Sequence, residues 1–416
     1  MTNPFFLLAL FVLIVSAVLI LSKSEATRKF FKYLPVPLWC YFIPTVFSTL
    51  GVLPADHPLY SQMSRFLLPA CLILLLVGTD LPSIYKLSPR ALLAMAAGSV
   101  GILVGGVVTF LLLFKSTPEL WKGWACLSAS WTGGSANMIA VKEILRTPES
   151  LFSNLIIMDT ITAYSWMAFL VFMSKYQAQM NRKLGIDALS SPDVIAAKLV
   201  PECFNRGAGI HAAPTVLESG SRPAGSAGMT KLNYPVRALI IASLLIFAFT
   251  SGYLCWFVSR FFPQPGTILN RFTWTVVLAT TIPLLLSMTP ARKLENMGAS
   301  ASGNFLLYLL LTSIGARANL TALVSAPFFI LSGLLWVSIH GIFLFAFGRI
   351  AKIPVSLLAA ASQANVGGTV SAPIVASVYN KNYAPLGLIL AVLGNIYGTT
   401  FGLFFGEICR RLANLL

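Results

Sequence analysis

A chain of 416 residues that is 57% hydrophobic and only 10% charged, with a mean hydropathy of +0.81, is too apolar for a soluble globule. About 20 apolar residues cross a bilayer, and runs near that length recur along the whole chain. The formal net charge of +16 does not indicate nucleic acid, because the 29 Lys and Arg sit mostly in short gaps between apolar runs, where they orient membrane helices.

The first apolar run, 4–21, follows an almost uncharged start and precedes Lys23, Arg28, Lys29 and Lys32. A cleaved signal peptide has its positive charges before the apolar run, so a retained helix with its N-terminus outside is expected. Further runs are expected at 35–53, 64–80 and 89–114, then an interrupted one at 121–145 and another at 151–174. From Lys175 to Tyr234 the composition turns to Gly, Pro, Ser and Ala, with too little apolar periodicity to pack a core. This reads as a flexible cytoplasmic connector with one short helix around Ser191–Leu199. Apolar runs resume at 235–259, 271–289, 304–317 and 323–348, followed by a second interrupted segment at 354–379 and a last run at 384–408.

That order predicts an all-α polytopic membrane protein in three parts: an N-terminal membrane repeat over 1–174, the connector over 175–234 and a C-terminal membrane repeat over 235–416. Each repeat carries about five spanning helices and one glycine-broken segment. Leu75–Asp80 aligns with the stretch beginning at Leu311, and Asp159 falls opposite Gly394-Asn395. If each broken segment dips in and returns, the repeats are inverted, and most Lys and Arg then lie inside. If it crosses, most lie outside, against the positive-inside tendency. Re-entrant segments entering from opposite faces are therefore expected.

The broken segments carry the chemistry. The first reads Ser-Ala-Ser-Trp-Thr-Gly-Gly-Ser-Ala-Asn over 128–137, and the second Ser-Gln-Ala-Asn-Val-Gly-Gly-Thr over 362–369. Two adjacent glycines weaken a helix by about 1 kcal/mol each, and a backbone break at membrane depth is tolerated only inside protein or beside a water-filled cavity. Two such breaks in matching places point to a transporter's binding site. A helix end there exposes N–H groups that bind an anion, while exposed carbonyls hold a cation. The candidate solute ligands are Ser130, Thr132, Gly133, Gly134, Ser135 and Asn137 of the first segment, with Gln363, Asn365, Gly367, Gly368 and Thr369 of the second. The bland alternative is that the glycines only let spans pack closely.

Asp159 lies mid-span, where an ionisable residue is costly and by default functional. It suits Na⁺ or H⁺ coupling, with Thr160 beside it and Asn395 at the matching place of the other repeat. The alternative is a structural carboxylate paired with an arginine such as Arg317. Asp80 and Arg317 stand at span ends, where charge is cheap, and Lys142 and Glu143 are expected at the mouth of the first broken segment. His340 is either a proton shuttle or a satisfied packing residue. The six cysteines stand alone, so neither a disulfide framework nor a metal site is expected. No H-E-x-x-H, G-x-S-x-G or P-loop occurs.

The expected function is secondary transport of a small, anionic organic solute coupled to Na⁺ or H⁺, with no enzyme activity and no cofactor beyond the coupling ion. A channel or passive pore remains open, and an intramembrane enzyme is a weaker alternative. Trp131-Thr-Gly-Gly-Ser-Ala-Asn-Met-Ile-Ala-Val-Lys-Glu143, then Met158-Asp-Thr160 and Trp166, and the second signature Ala364-Asn-Val-Gly-Gly-Thr369 resemble the YjcL-like family of bacterial membrane proteins, domain of unknown function 819. The likeness covers nearly the whole chain outside the connector. More distantly, the plan resembles the cation:proton antiporter and anion transporter group, whose glutamate:sodium and citrate:sodium symporters use paired glycine-rich re-entrant segments. This resemblance implies a core domain moving against a scaffold able to form a homodimer, in a bacterial inner (plasma) membrane, with Gly133, Gly134, Gly367 and Gly368 as hairpin glycines. Ala136 and Val370 stand where those hairpin tips continue as glycine.

Overall fold

A computed structural model describes residues 3–27, 36–81, 87–113, 119–186, 233–264, 270–318, 326–380 and 383–415, with isolated positions between them. The expected short helix around Ser191–Leu199, and most of the connector, lie outside the described residues. Among those described, all regular structure is helical.

The first half runs through α1 (Pro4–Lys23), α2 (Val36–Thr49), α3 (Pro58–Val77) and α4 (Pro89–Leu113). It continues through α5 (Leu120–Gly133), α6 (Ser135–Leu145) and α7 (Glu149–Met173). A 3-10 turn, Ser174–Tyr176, leads into the short α8 (Gln177–Lys183), so helix extends beyond the expected start of the connector at Lys175. The second half has α9 (Tyr234–Val258), α10 (Arg271–Ser287), α11 (Ala299–Gly315) and α12 (Ala326–Ala351). Then come α13 (Val355–Val366), α14 (Gly368–Tyr379) and α15 (Ala384–Leu415). Every expected apolar run is helical over most of its described residues, and each expected interruption separates two helices.

Local chemistry explains many of the ends. Asn3 accepts from Phe5 N at 2.9 Å ahead of Pro4, and His57 accepts from Leu59 N at 3.1 Å ahead of Pro58. Each places proline in the first turn, where its missing N–H is harmless. Asn270 and Thr273 form a reciprocal capping box at the start of α10. The run expected to span 271–289 instead ends at Ser287 and turns by 102° into a 3-10 helix, Pro290–Met297. Thr289 caps that new helix through Ala291 N, and Pro290 opens it, so the backbone changes direction where a donor is absent.

Seven helices among the described residues are long and apolar enough to cross a membrane, or eight with the bent pair taken as one span. The chain is thus an all-α polytopic membrane protein. The helices of α2, α11, α13 and α14 are apolar but shorter.

By contact the chain divides into two compact units, each drawing on both halves. The first holds 1–80, 142–160 and 221–327; the second holds 81–141, 161–220 and 328–416. In the first unit α3 and α11 form the central pair. The packing of α3 on α10 is matched by α11 on α2, and that of α3 on α9 by α11 on α1. Gly315 brings α11 against the α2 backbone, where Thr45 Oγ1 donates to Gly315 O at 3.0 Å. In the second unit α15 is central, packing on α5, α13 and α14, while α4 packs on α5 and α13. An aromatic cluster fixes that unit's middle: Trp336 lies 5.7 Å from Trp124 and 5.0 Å from Trp131, centroid to centroid.

Candidate functional site

Both glycine segments are broken in the backbone, and both lie in the second unit. Helix α5 ends at Gly133. Gly134 then takes φ +80° and ψ 175°, a region essentially reserved for glycine, and α6 starts at Ser135. Helix α13 ends at Val366, and α14 begins at Gly368 with φ +69°. The adjacent glycines of each pair do different work. A Cβ on Gly133 would come 2.7 Å from Gly394 O and 2.8 Å from Gly398 Cα, whereas one on Gly134 would meet only Asn395 Oδ1 at 3.4 Å. A Cβ on Gly367 would collide with Gln363 and Ser371, whereas Gly368 has nothing within 4 Å.

Hydrogen bonds tie each break to α15. Asn137 is buried, donates through Nδ2 to Gly133 O and, at 3.3 Å, to Asn395 O, and accepts at Oδ1 from Thr399 N (3.1 Å) and Thr399 Oγ1 (2.5 Å). Asn365 is buried as well. Its Oδ1 accepts from Ser99 Oγ at 2.9 Å, and Ser99 shares a 2.8 Å hydrogen bond with Tyr397 OH. Its Nδ2 donates to Ala361 O at 3.0 Å. Asn395 and Tyr397 are two positions apart on α15, so one helix serves both breaks; α5 also packs directly on α13 and α14.

Two polar atoms in the broken segments are left over. Thr132 Oγ1 and Gln363 Oε1 are buried with no hydrogen-bond partner among the described residues, although Gln363 Nε2 donates to Ser371 Oγ at 2.8 Å. Unmade bonds of this kind cost roughly 1–3 kcal/mol each. They mark acceptors able to receive a ligand's N–H, O–H or cation. Ser130 is buried, while Ser135 and Thr369 are half-buried. The first turn of a helix leaves N–H groups without intrahelical partners, and α14 has no side-chain cap.

The structure thus brings Ser130, Thr132, Gly133, Gly134, Ser135, Asn137, Gln363, Asn365, Gly367, Gly368, Thr369 and Asn395 into one compact unit, while Asp159 and Thr160 on α7 fall in the other. Asp159 is half-buried, and Thr160 Oγ1 donates to Ile156 O at 2.9 Å.

Arg317 pairs elsewhere than with Asp159 as one alternative held. Its Nη1 lies 3.6 Å from Glu149 Oε1 and 4.0 Å from Glu143 Oε1, and Lys142 Nζ lies 2.6 Å from Glu149 Oε1 and 2.8 Å from Glu143 Oε1. Lys142 is only 2% exposed, and this burial of an ammonium is sustained by two carboxylates at once. Glu149 carries no signal in the sequence, because its seven-residue spacing from Lys142 crosses a turn that no periodicity reveals. His340 is fully buried. Its Nδ1–H donates to Gly98 O at 3.0 Å and its Nε2 pairs with Ser362 Oγ at 2.9 Å, while Trp166 Nε1 donates to the same hydroxyl at 2.9 Å. A carbonyl only accepts, so Nδ1 carries a proton, and both ring nitrogens have a partner, as a packing residue needs.

The DUF819 profile, described as a protein of unknown function, matches residues 10–199 and 211–412. The chain belongs to this family. It is also 27% identical over 384 residues, 87% of this chain and 86% of the relative, to the "Uncharacterized membrane protein YjcL" of Bacillus subtilis (strain 168). Both glycine breaks and Asp159 lie within the stretches matched to the family, whose description assigns no substrate and no reaction.

Proposed function

We propose that this member of the DUF819 family is a secondary transporter of a small, anionic organic solute, coupled to Na⁺ or H⁺, with the solute held between the two glycine-broken segments. The observation carrying this reading is the pair of backbone breaks at Gly134 and Gly368, both at positive φ and within one compact unit. Helix N-termini at Ser135 and Gly368 favour an anion. The unpaired Gln363 Oε1 and Thr132 Oγ1 suit a cation or a donor group on the solute. Ser130, Asn137, Asn365, Gly367 and Thr369 shape the same cradle, and Asp159, Thr160 and Asn395 are the coupling residues.

The matched packing of α3 on α10 and α11 on α2 supports an internal duplication, and we read the two halves as inverted repeats with re-entrant segments. The placement is a bacterial plasma membrane, the assembly a homodimer, and the protein no enzyme.

The test begins with purified protein screened by thermal shift against small carboxylates, amino acids and peptides, with and without Na⁺, since a ligand of the folded state raises apparent stability. Hits are then followed as uptake into proteoliposomes. A stabilising carboxylate whose uptake follows an imposed Na⁺ or H⁺ gradient is expected. Flux that persists unchanged when gradients are dissipated would identify a channel or passive pore instead.

A further inference from the structure

In the first unit Arg65 and Arg271 share the ring of Trp256, and Arg260 follows that tryptophan by four positions on the same chain segment. Arg65 stands on α3, Arg260 just beyond α9, and Arg271 opens α10. The guanidinium carbons of Arg65 and Arg271 lie 4.3 and 3.8 Å from the ring centroid of Trp256, and that of Arg260 lies 3.8 Å from Phe257 and 4.7 Å from Phe261. Arg271 Nη2 donates to Trp256 O at 3.2 Å, but its Nε is buried with no acceptor. Among the described residues none of the three forms an ion pair.

Stacking on an aromatic face leaves the N–H edge of a guanidinium free, and that planar fork matches phosphate oxygens. Arg65 and Arg271 share one ring, so their charges lie within about 8 Å of each other, the sum of the two distances, and repel unless an anion sits near both. Trp256 and Trp274 place this cluster among residues that favour the headgroup level of a bilayer.

The same three helices open an apolar cavity of about 170 Å³, lined among others by Ile73 of α3, Ser251, Leu254 and Cys255 of α9, and Ile282 and Leu286 of α10. At ~1.5 Å per residue, Ile73 lies roughly 12 Å along α3 from Arg65, and Ile282 roughly 16 Å along α10 from Arg271. Charge at one level and an apolar slot below it on the same helices is the layout of a lipid. The geometry points to an anionic phospholipid site, in which the arginines hold the phosphate and headgroup while part of an acyl chain lies between α3, α9 and α10.

The experiment uses the full chain, delipidated in detergent. Lipid retention is read by native mass spectrometry and stability by thermal melting, with phosphatidylglycerol, phosphatidylcholine and inorganic phosphate as separate probes. Wild type is expected to prefer phosphatidylglycerol over phosphatidylcholine by a factor on the order of 100, about fivefold for each arginine. The variant Arg65→Gln/Arg260→Gln/Arg271→Gln should retain the two lipids equally, and Ser251→Phe, which fills the slot but keeps the charges, should weaken phosphatidylglycerol retention about tenfold. Should the triple variant fail to fold, Arg260→Gln at its exposed position decides: a fivefold drop in preference supports the site, and an unchanged preference overturns it. Equal retention of both lipids by wild type overturns the proposal, as does a triple variant with wild-type preference. Inorganic phosphate that stabilises as much as phosphatidylglycerol would mark a free-anion site and also overturn it.

Discussion

At the residue scale, the pair Gly133-Gly134 separates two uses of glycine that look identical in sequence. Gly133 is helical and pressed against Gly394 and Gly398, so Gly133→Ala is expected to cost about 1–3 kcal/mol by overpacking, with the affinity of surviving protein little changed. Gly368 has open space but φ +69°. Gly368→Ala should therefore cost only about 1 kcal/mol of stability while the added methyl weakens solute binding. Melting temperature and ligand titration on the same preparations separate the two, and wild-type affinity in Gly368→Ala would take the second break out of the binding site. Asp159→Asn is expected to fold and insert normally yet lose the response of uptake to an imposed Na⁺ or H⁺ gradient, because an amide neither cycles a proton nor carries a charge. Unchanged gradient dependence would reduce Asp159 to a structural residue.

At the scale of elements, α5 and α15 meet along a seam of small residues. Gly394, Gly398 and Gly402 repeat every fourth position, which places them on one helix face, opposite Thr132, Gly133 and Ala129. A Cβ on Gly398 would sit 2.6 Å from Gly133 Cα, a backbone contact that no rotamer relieves. The close approach lets Asn137 reach across to Thr399. Another element junction, the turn between α6 and α7, is held by charge. Lys142→Met should destabilise by about 3–5 kcal/mol, since it strands Glu143 and Glu149 beside Arg317 alone. Combining it with Glu149→Leu should recover part of that loss, measured by denaturation as a double-mutant cycle. Strict additivity of the two changes would show that the pair is not coupled.

On the scale of the whole molecule, the compact units are not the sequence halves. The first unit takes α1–α3 with α9–α11, and the second takes most of the remaining helices of each half. The first three helices of each half fall in the first unit, but 142–160 also fall there, whereas everything from 328 onward in the second half lies in the second unit. With re-entrant breaks and an outside N-terminus, α8 lies in the cytoplasm and the turn after α9 outside. In a Cys203→Ser background, a cysteine at the exposed Gln264 should react with an impermeant maleimide on intact cells, while one at the exposed Gln179 should react only after permeabilisation. The reverse pattern would invert the topology.

Helix positions and both breaks were legible in the sequence because their causes are local. Apolar runs of membrane length, prolines at helix starts and paired glycines act within a few residues of where they stand. Even the need of His340 for partners was readable, since a ring in an apolar span must find them. The partners themselves were not. Which glycine of the first pair packs and which turns the chain depends on Gly394 and Gly398, more than 250 positions away. Arg317 meets Glu149 rather than Asp159, and Ser99 and Tyr397 complete the Asn365 network, only because distant helices converge. Hydropathy and turn chemistry along the chain decide where it is helical; the long-range packing of small residues and buried charges, which carries no period along the sequence, decides what each helix touches.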